Sequence, residues 1–474
     1  MAATSVIEQQ PLLATLPVGQ EIIFVVSNTT AVAVESNVKF IAEIFISDSG
    51  IPNFATTPKA GTFKTTPNNA GVGIFDLRNV VENFVKADNI ADNFSQYKLV
   101  TTTANTRHPI HLINKFSTNN NSVRFMIIRF SVEYLGATDN AGNQSDIVVR
   151  QQAGTEVSST NFTLFNGYLK YTDILSTGTV ALNSSQNFGF NINDFIPNGS
   201  TDSFLTNAPA TQYANLEDYG TVGLLVPVVL TKMRLTYYAT DGSTSTEDVD
   251  KSLANGAFTV FSAFTKNYLL YFGFFPANLQ NWSSTFQGYV SAGTIQGGYY
   301  TVQCFDNSGT ARSKLYTVNV NCPNQKNYES IRLCWLNQWG AWDYYTFTKK
   351  SSRKFNTKGT TFTQLEGTWN ESVYRIDGFK GGKKTFNMNT TERITMNSDF
   401  VSEDENVMFE ELINSPEVYL LQGFQTDLGT ALNQYVTPVR LMTKSFSRKT
   451  VANDRLIQYK FQIEKSKTLR TQSI

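Results

Sequence analysis

The chain has 474 residues, with 39 basic and 39 acidic side chains and a charged fraction of only 16%. A formal charge of zero speaks against the extensive phosphate neutralisation on which nucleic-acid binders depend, and the length predicts three or four domains. Aromatic residues reach 13%, beside abundant Thr, Asn and Ser, and that mixture suits half-buried strands joined by polar turns, so the expected fold is mainly β.

Residues 20–50 alternate strand-like runs with short polar breaks, as at the edge of a β-sandwich. The stretch FDLRNVVENFVKADN spaces Leu77, Val80, Val81, Phe84 and Val85 at the helical period behind Asp76, predicting a short amphipathic helix with Asp76 as its cap. SVRFMIIRFSVEYL, residues 122–135, returns to strand character. Residues 1–160 are therefore expected to form an N-terminal β-rich domain with an inserted helix. Residues 161–225 are poor in charge and rich in Asn, Ser and Gly, and predict an extended loop or linker region. Residues 226–322 contain five strand-length runs, with turns such as Asp241-Gly242 between them, and predict an immunoglobulin-like or fibronectin-like sandwich.

Residues 323–474 are expected to form a C-terminal β-rich domain with one capped helix. In SEDENVMFEELINSP, Ser402 and Glu405 have the spacing of a capping box, and Pro416 lies past the end. In RLIQYKFQIEKSK, Ile457, Tyr459, Phe461 and Ile463 alternate with polar residues, which predicts a strand. The expected architecture is thus mainly β and multi-domain, with immunoglobulin-like or fibronectin-like sandwiches and a few short helices. No repeat of solenoid or propeller length is present.

The N-terminus lacks the basic-then-apolar layout of a signal peptide, and the longest strongly apolar runs, such as Gly223–Leu230, are far short of a membrane span. Three cysteines, Cys304, Cys322 and Cys334, exclude a small-protein disulfide framework. Cys304 and Cys322 flank a strand-like run close enough in sequence to bond, but free thiols are the preferred reading. Synthesis in a reducing cytoplasm is expected.

Catalytic constellations are scarce. The only histidines, His108 and His111, sit in RHPIH without further local metal ligands, and no GxSxG elbow is present. GFKGGKK, residues 378–384, lacks phosphate-loop spacing and reads as a basic hairpin turn. The carboxylate clusters Asp248/Asp250 and Glu403/Asp404/Glu405 read as a solvated turn and as helix capping, respectively. No catalytic residue, cofactor or metal is assigned, and the chain is expected not to be an enzyme.

The most distinctive segment is IRLCWLNQWGAWDYYTF, with Trp335, Trp339 and Trp342 inside eight positions. Its aromatics either pin a strand-turn-strand corner into a core, which the flanking pattern favours, or lie exposed as a stacking or interface surface. Candidate interface residues are Trp335, Asn337, Trp339, Trp342, Asp343 and Tyr345.

This segment, with LINSPEVYL, VRLMTKSFSRKT and RLIQYKFQIEKSK downstream and FDLRNVVENFV upstream, resembles virion structural proteins of tailed bacteriophages that infect Bacteroidetes, including crAss-like and marine flavobacterial phages. The sharpest shared motif is Trp335, Leu336, Asn337, Gly340, Asp343, Tyr345 and Phe347. The resemblance implies a tail, collar or fibre-attachment component, assembled in the host cytoplasm into a symmetric homo-oligomer in contact with other virion proteins. It implies no active site. An alternative is a carbohydrate-binding adhesin of the tail-fibre type, which would present exposed tryptophans to a host-surface glycan; a polysaccharide depolymerase ranks third. Residues 1–300 hold 16 basic and 22 acidic side chains and residues 301–474 hold 23 and 17, a polarity that can orient docking between copies.

Overall fold

The computed structural model describes residues 4–11, 13–48, 50–87, 110, 116–118, 122–136, 148–150, 156–170, 192–226, 232–250, 268–323, 328–422, 436–454 and 456–472. The fold is mainly β and divides into two compact units. The first comprises residues 1–322, 336–343 and 426–431, and the second 323–335, 344–425 and 432–474.

The first unit opens with a sandwich. A three-stranded sheet places β3 (Ile23–Ser27) between β1 (Val6–Gln9) and β6 (Val72–Asp76). The facing sheet is built on two long strands, β4 (Ser36–Ser47) and β8 (Val123–Leu135), paired antiparallel from Lys39 to Ser47 against Glu133 to Phe125. To these are added β2 (Thr15–Pro17), β5 (Lys59–Thr65), β9 (Val148–Arg150), β10 (Val157–Ser158) and β11 (Phe162–Phe165). Alternation on β4 sends Phe40, Ala42 and Ile44 into a core shared with Phe24, Val26, Phe75, Phe130 and Phe162, as the two-residue period requires. The rings of Phe24 and Phe162 meet edge-on at 5.7 Å. Gly73 lets Phe40 pack closely over β6, because a Cβ there would stand 2.7 Å from the Phe40 side chain.

The opposite face of β4 carries Glu43. This buried carboxylate pairs with Lys59, with Arg129 at 2.6 Å and with Arg150 at 3.0 Å. Those cations hold its pKa down at about 2 against the desolvation of its site. Helix α1 (Thr29–Val34) is capped by Asn28, whose Oδ1 accepts from Ala31 N at 3.0 Å. Helix α2 (Arg78–Val81) is shorter than the periodicity over 77–85 predicts. The N-cap position belongs to Leu77 and not to Asp76, whose Oδ1 accepts from Arg78 N at 3.0 Å and from Ile22 N at 3.1 Å and so ties the helix start to the segment before β3.

The same unit contains a five-stranded sheet in the order β12 (Thr211–Ala214), β18 (Tyr316–Val320), β17 (Tyr299–Phe305), β14 (Lys232–Tyr238), β15 (Thr244–Asp250). It also contains a three-stranded sheet in the order β13 (Thr221–Val226), β16 (Tyr268–Gly273), β7 (Phe116–Thr118). Helices α3 (Pro276–Trp282) and α4 (Ser284–Ser291) follow β16. Ser283 caps α4 by accepting from Phe286 N at 3.0 Å, and the Phe286 ring packs 5.7 Å from both Tyr237 and Tyr300. That contact covers one face of the five-stranded sheet.

Where an extended loop was expected over 161–225, the described residues include three strands, and residues 171–191 lie outside the described ones. β11, β12 and β13 lie in three different sheets of this unit, β11 with every residue buried. Strands of four to six residues draw their stability from neighbours more than from local propensity. Asp248 and Asp250 lie on β15, not in a turn. The expected strand at 258–266 and both histidines fall outside the described residues. All three cysteines are free; Cys304 and Cys334 are buried and Cys322 is exposed.

The second unit is built on an eight-stranded sheet: β20 (Trp342–Phe347), β19 (Ile331–Leu336), β23 (Val418–Leu421), β24 (Val436–Leu441), β25 (Lys460–Lys465), β22 (Gly382–Asn397), β21 (Ser352–Gln364), with β26 (Leu469–Arg470) beside β22. The predicted alternation before and along β25 buries Ile457, Tyr459, Phe461 and Ile463. Helix α5 (Glu405–Asn414) begins two residues later than the capping pattern places it, with Asp404 and not Ser402 at its N-cap; Ser402 N still donates to Glu405 Oε2 at 2.8 Å, and the Ser402 hydroxyl accepts from Asp404 N at 3.3 Å. Phe409 of α5 packs against Tyr345, Phe461 and Tyr459 at 4.9, 5.4 and 5.3 Å. A last short helix, α6 (Val451–Asp454), precedes β25. No described helix is long and apolar enough to cross a membrane.

Candidate functional site

The motif residues divide between burial in the two units. In the first unit, Asn337 to Ala341 form the turn between β19 and β20. Asn337 N donates to Ala341 O at 2.9 Å, and Gly340 occupies the left-handed region at φ +72°, the position where glycine avoids the Cβ penalty. The Asn337 side chain organises this turn: its Oδ1 accepts from Trp339 N and Ala341 N, both at 3.0 Å, while its Nδ2 donates to Leu205 O at 2.8 Å. Gln338 clasps the strand end beyond β11 through Nε2 to Tyr168 O and Tyr168 N to its own carbonyl, each at 3.0 Å. Trp339 lies against the Phe195 ring at 4.6 Å.

Asp343 lies beside this turn and is fully withdrawn from solvent. Its Oδ1 accepts from Thr206 Oγ1 at 2.6 Å, and Thr206 Oγ1 in turn accepts from Ala208 N at 3.0 Å. Burial pushes the carboxyl up to about 6, against the lowering effect of the Thr206 and Asn337 side chains.

Trp335, Trp339 and Trp342 are all buried. The core reading of the tryptophan segment therefore describes its structure, and Trp339 and Trp342 offer no face for a sugar ring. Trp335 lies on β19, with the register Trp335 to Val418 against β23. Tyr345, in the second unit, is half-buried; its hydroxyl accepts from Asp399 N at 3.3 Å, and burial raises its pKa.

The carboxylate clusters hold structural partners. Asp248 accepts from Lys232 Nζ at 2.7 Å and from Arg234 Nε at 2.7 Å, which lowers its pKa to about 2. Glu403 accepts from Val451 N at 2.7 Å. Among the described residues, no group of three or more His, Cys, Asp or Glu side chains could hold a metal ion.

The exposed aromatic surface lies elsewhere. β21 and β22 form a long antiparallel ribbon, in register from Ser352–Thr395 to Gln364–Gly382 with a bulge at Thr360/Thr361. β25 and β26 flank it only from Asn389 to Asn397, so its outer part is a two-stranded arm. At its end Trp369 is 81% exposed, and Phe379, Ile376, Val373, Tyr374 and Leu365 are also exposed. Sequence reasoning took GFKGGKK as a turn and singled out Trp335, Trp339 and Trp342 but not Trp369. The available signal was that Trp369 stands among Gly, Thr, Asn and Glu with no strand pattern around it.

No family model matches the chain, and no curated protein does. Among solved structures it is similar to trypsin-activated alpha-2-macroglobulin from Escherichia coli, at 8% identity and a TM-score of 0.16 over 82% of this chain and 23% of that one. It is likewise similar to the native conformation of E. coli alpha-2-macroglobulin, at 8% identity and a TM-score of 0.16 over 83% of this chain and 22% of that one. The chain spans less than a quarter of the length of either.

Proposed function

We propose that the chain is a non-enzymatic structural protein of a bacteriophage virion, a tail, collar or fibre-attachment component that assembles through protein–protein contacts into a symmetric oligomer. The observation that carries this reading is the two-stranded arm ending in Trp369, Tyr374, Ile376 and Phe379, all more than half exposed. Contiguous exposed aromatics mark interaction surfaces, and Trp and Tyr dominate the energetics of interfaces. The sequence resemblance to phage virion proteins supplies the biological setting, with assembly in the host cytoplasm. Absence of enzymatic function is part of the proposal, supported by the commitment of Asp248 and Glu403 to structural contacts.

Mass spectrometry of purified virions whose genome encodes the chain, together with negative-stain images of the purified protein, tests the reading. A stoichiometric virion component that forms particles of fixed rotational symmetry supports it. A strictly monomeric chain that is missing from the virions overturns it.

A further inference from the structure

We infer that the open face of the second unit's sheet binds double-stranded DNA along its phosphates, without regard to base sequence. This contact goes beyond the virion reading and does not depend on it.

The sheet has one covered and one open face. Ile394, Met396, Phe461 and Ile463 are buried on the side where Phe409 of α5 packs. The register fixes what the open side carries, because side chains directly opposite each other share a face. Lys354 stands opposite Arg393, Arg393 opposite Glu464, and Glu464 opposite Arg440, so one row crosses β21, β22, β25 and β24. Four residues along β22 in one direction, Asn389 lies between Lys358 and Arg470; four in the other, Asn397 lies beside Lys460. A strand spacing of about 4.8 Å and a rise of about 3.3 Å per residue make a field roughly 14 Å wide and 26 Å long.

Up to the bulge at Thr360/Thr361, this face holds six cations and one carboxylate. The carboxylate, Glu464, accepts from Arg393 Nε and from Arg440 Nη2, each at 2.7 Å. Lys354, Lys358, Lys460 and Arg470 are exposed, and none of them has an ion pair among the described residues. Cations on the other side are matched: Arg353 pairs with Glu329 and Glu392, and Lys465 with Glu392 at 2.7 Å. Adding Glu417, which precedes β23 and accepts from the Tyr419 hydroxyl at 2.9 Å, still leaves six cations against two carboxylates. The positive excess of the open face is therefore not met within it.

A polyanion fits such a field, and its shape and chemistry select the duplex. The middle row is wide enough to meet phosphates on both sides of a groove about 6–12 Å across, which a single extended chain cannot provide. No aromatic side chain lies on this face, so it has no platform for unstacked bases or sugar rings. A lipid surface would take up apolar side chains, but the exposed Phe355, Met388 and Leu469 lie on the other side, in register with Glu392, Gly359 and Thr390. Asn, Thr and Gln fill the spaces between the cations instead, and with Lys and Arg they are the groups that contact DNA phosphates. Neutrality of the whole chain excludes extensive binding but not this contact, since charge is screened within about 10 Å at 0.1 M salt and a phosphate meets the local excess.

The test is fluorescence anisotropy of the full chain with a short labelled duplex at rising salt. Lys358→Gln/Arg470→Gln removes two of the four unpaired cations; both are exposed, so circular dichroism and the thermal melt should match wild type. Lys354→Gln removes one, and Lys39→Gln, at an exposed cation of the first unit, is the control. Four phosphate contacts predict a slope of about −3.6 in log K against log salt, reduced by about 1.8 in the double variant and 0.9 in Lys354→Gln. The double variant should also lose at least about tenfold in affinity at low salt, with the control unchanged. A second duplex of unrelated sequence should bind equally, and the matching single strand more weakly. Absence of duplex binding at low salt, or a slope that the double variant leaves unchanged, overturns the inference. Tighter binding to the single strand, to dextran sulfate or to phosphatidylglycerol vesicles overturns it as well. None of these results bears on the virion proposal, which the mass spectrometry of particles decides separately.

Discussion

Gly340→Ala is the sharpest perturbation of the buried turn. A Cβ at this position would stand 2.1 Å from the Asn166 carbonyl oxygen and 2.8 Å from its carbon, on a backbone at φ +72°. Losing glycine's freedom in the unfolded chain stabilises by about 0.4–1 kcal/mol, and the left-handed conformation costs about 1–2 kcal/mol, so those two effects nearly cancel. The overlap decides the sign. Carbon and oxygen normally stay about 3.3 Å apart, so Asn166 must retreat by roughly 1 Å. Asn166 N donates to Ser122 O at 3.1 Å, and two residues on Tyr168 N donates to Gln338 O at 3.0 Å. Breaking one such buried bond costs about 1–3 kcal/mol, and the expected total is roughly 2–4 kcal/mol. Urea unfolding followed by tryptophan fluorescence measures it, with hydrogen exchange of residues 162–170 and 336–343 locating the loss in the first unit. Gly378→Ala is the control, because nothing lies within 4 Å of a Cβ there. A Gly340→Ala protein within about 0.5 kcal/mol of wild type refutes the packing argument.

Asp343 binds a proton more tightly folded than unfolded, so between about pH 4 and the folded value of about 6 the native state holds more protons and stability falls as pH rises. The fall amounts to about 3 kcal/mol, and Asp343→Asn should remove it; equal pH slopes for the two proteins in urea melts would count against the assignment. Glu43 has the opposite sign, its folded pKa of about 2 lying below the unfolded value, so its contribution is complete above about pH 4.5 and is lost as pH falls toward 2. Glu43→Gln leaves three cations around a neutral amide and should cost about 3–5 kcal/mol at neutral pH, read by thermal melting against wild type. Ser402→Ala removes the hydroxyl that accepts from Asp404 N and should weaken α5 by about 0.5–2 kcal/mol, with faster amide exchange confined to its first turn.

The sequence exposed the features whose physics is local. The alternation around Tyr459 and Phe461, the Ser402–Glu405 spacing and the strand character of residues 122–135 depend on near neighbours, and each appears where the pattern places it. What escaped depends on distant partners. β11 is four residues long and owes its burial to β8 and β2, which pair with it across 36 and 148 positions at Phe162–Met126 and Thr163–Thr15. The helix expected over 77–85 is only Arg78–Val81, and its N-cap is Leu77, not Asp76, whose carboxylate is shared with Ile22 N from a distant segment. Asn337 and Asp343 were legible as motif members, but the turn they organise depends on Leu205 and Thr206, more than 130 positions upstream. The arm could not be read from periodicity, since an isolated ribbon exposes both faces and imposes no apolar alternation.

The arm also sets a limit on how assembly can work. Burying Trp369, Tyr374, Ile376 and Phe379 would recover about 1.5–3 kcal/mol each, or roughly 6–12 kcal/mol together. Association costs an estimated 4–15 kcal/mol in lost translational and rotational freedom. One arm tip alone therefore supports weak pairing at best, and contacts elsewhere on the protein have to supply the rest. A closed ring changes that balance. Each copy in it makes two contacts, one through its own arm and one through the surface that receives a neighbour's arm, and the last copy enters with both contacts formed at one cost in freedom. Assembly by this route should be cooperative, with monomers and complete rings dominating and open dimers scarce; a steady series of dimers, trimers and tetramers at equilibrium would show that the contact does not close.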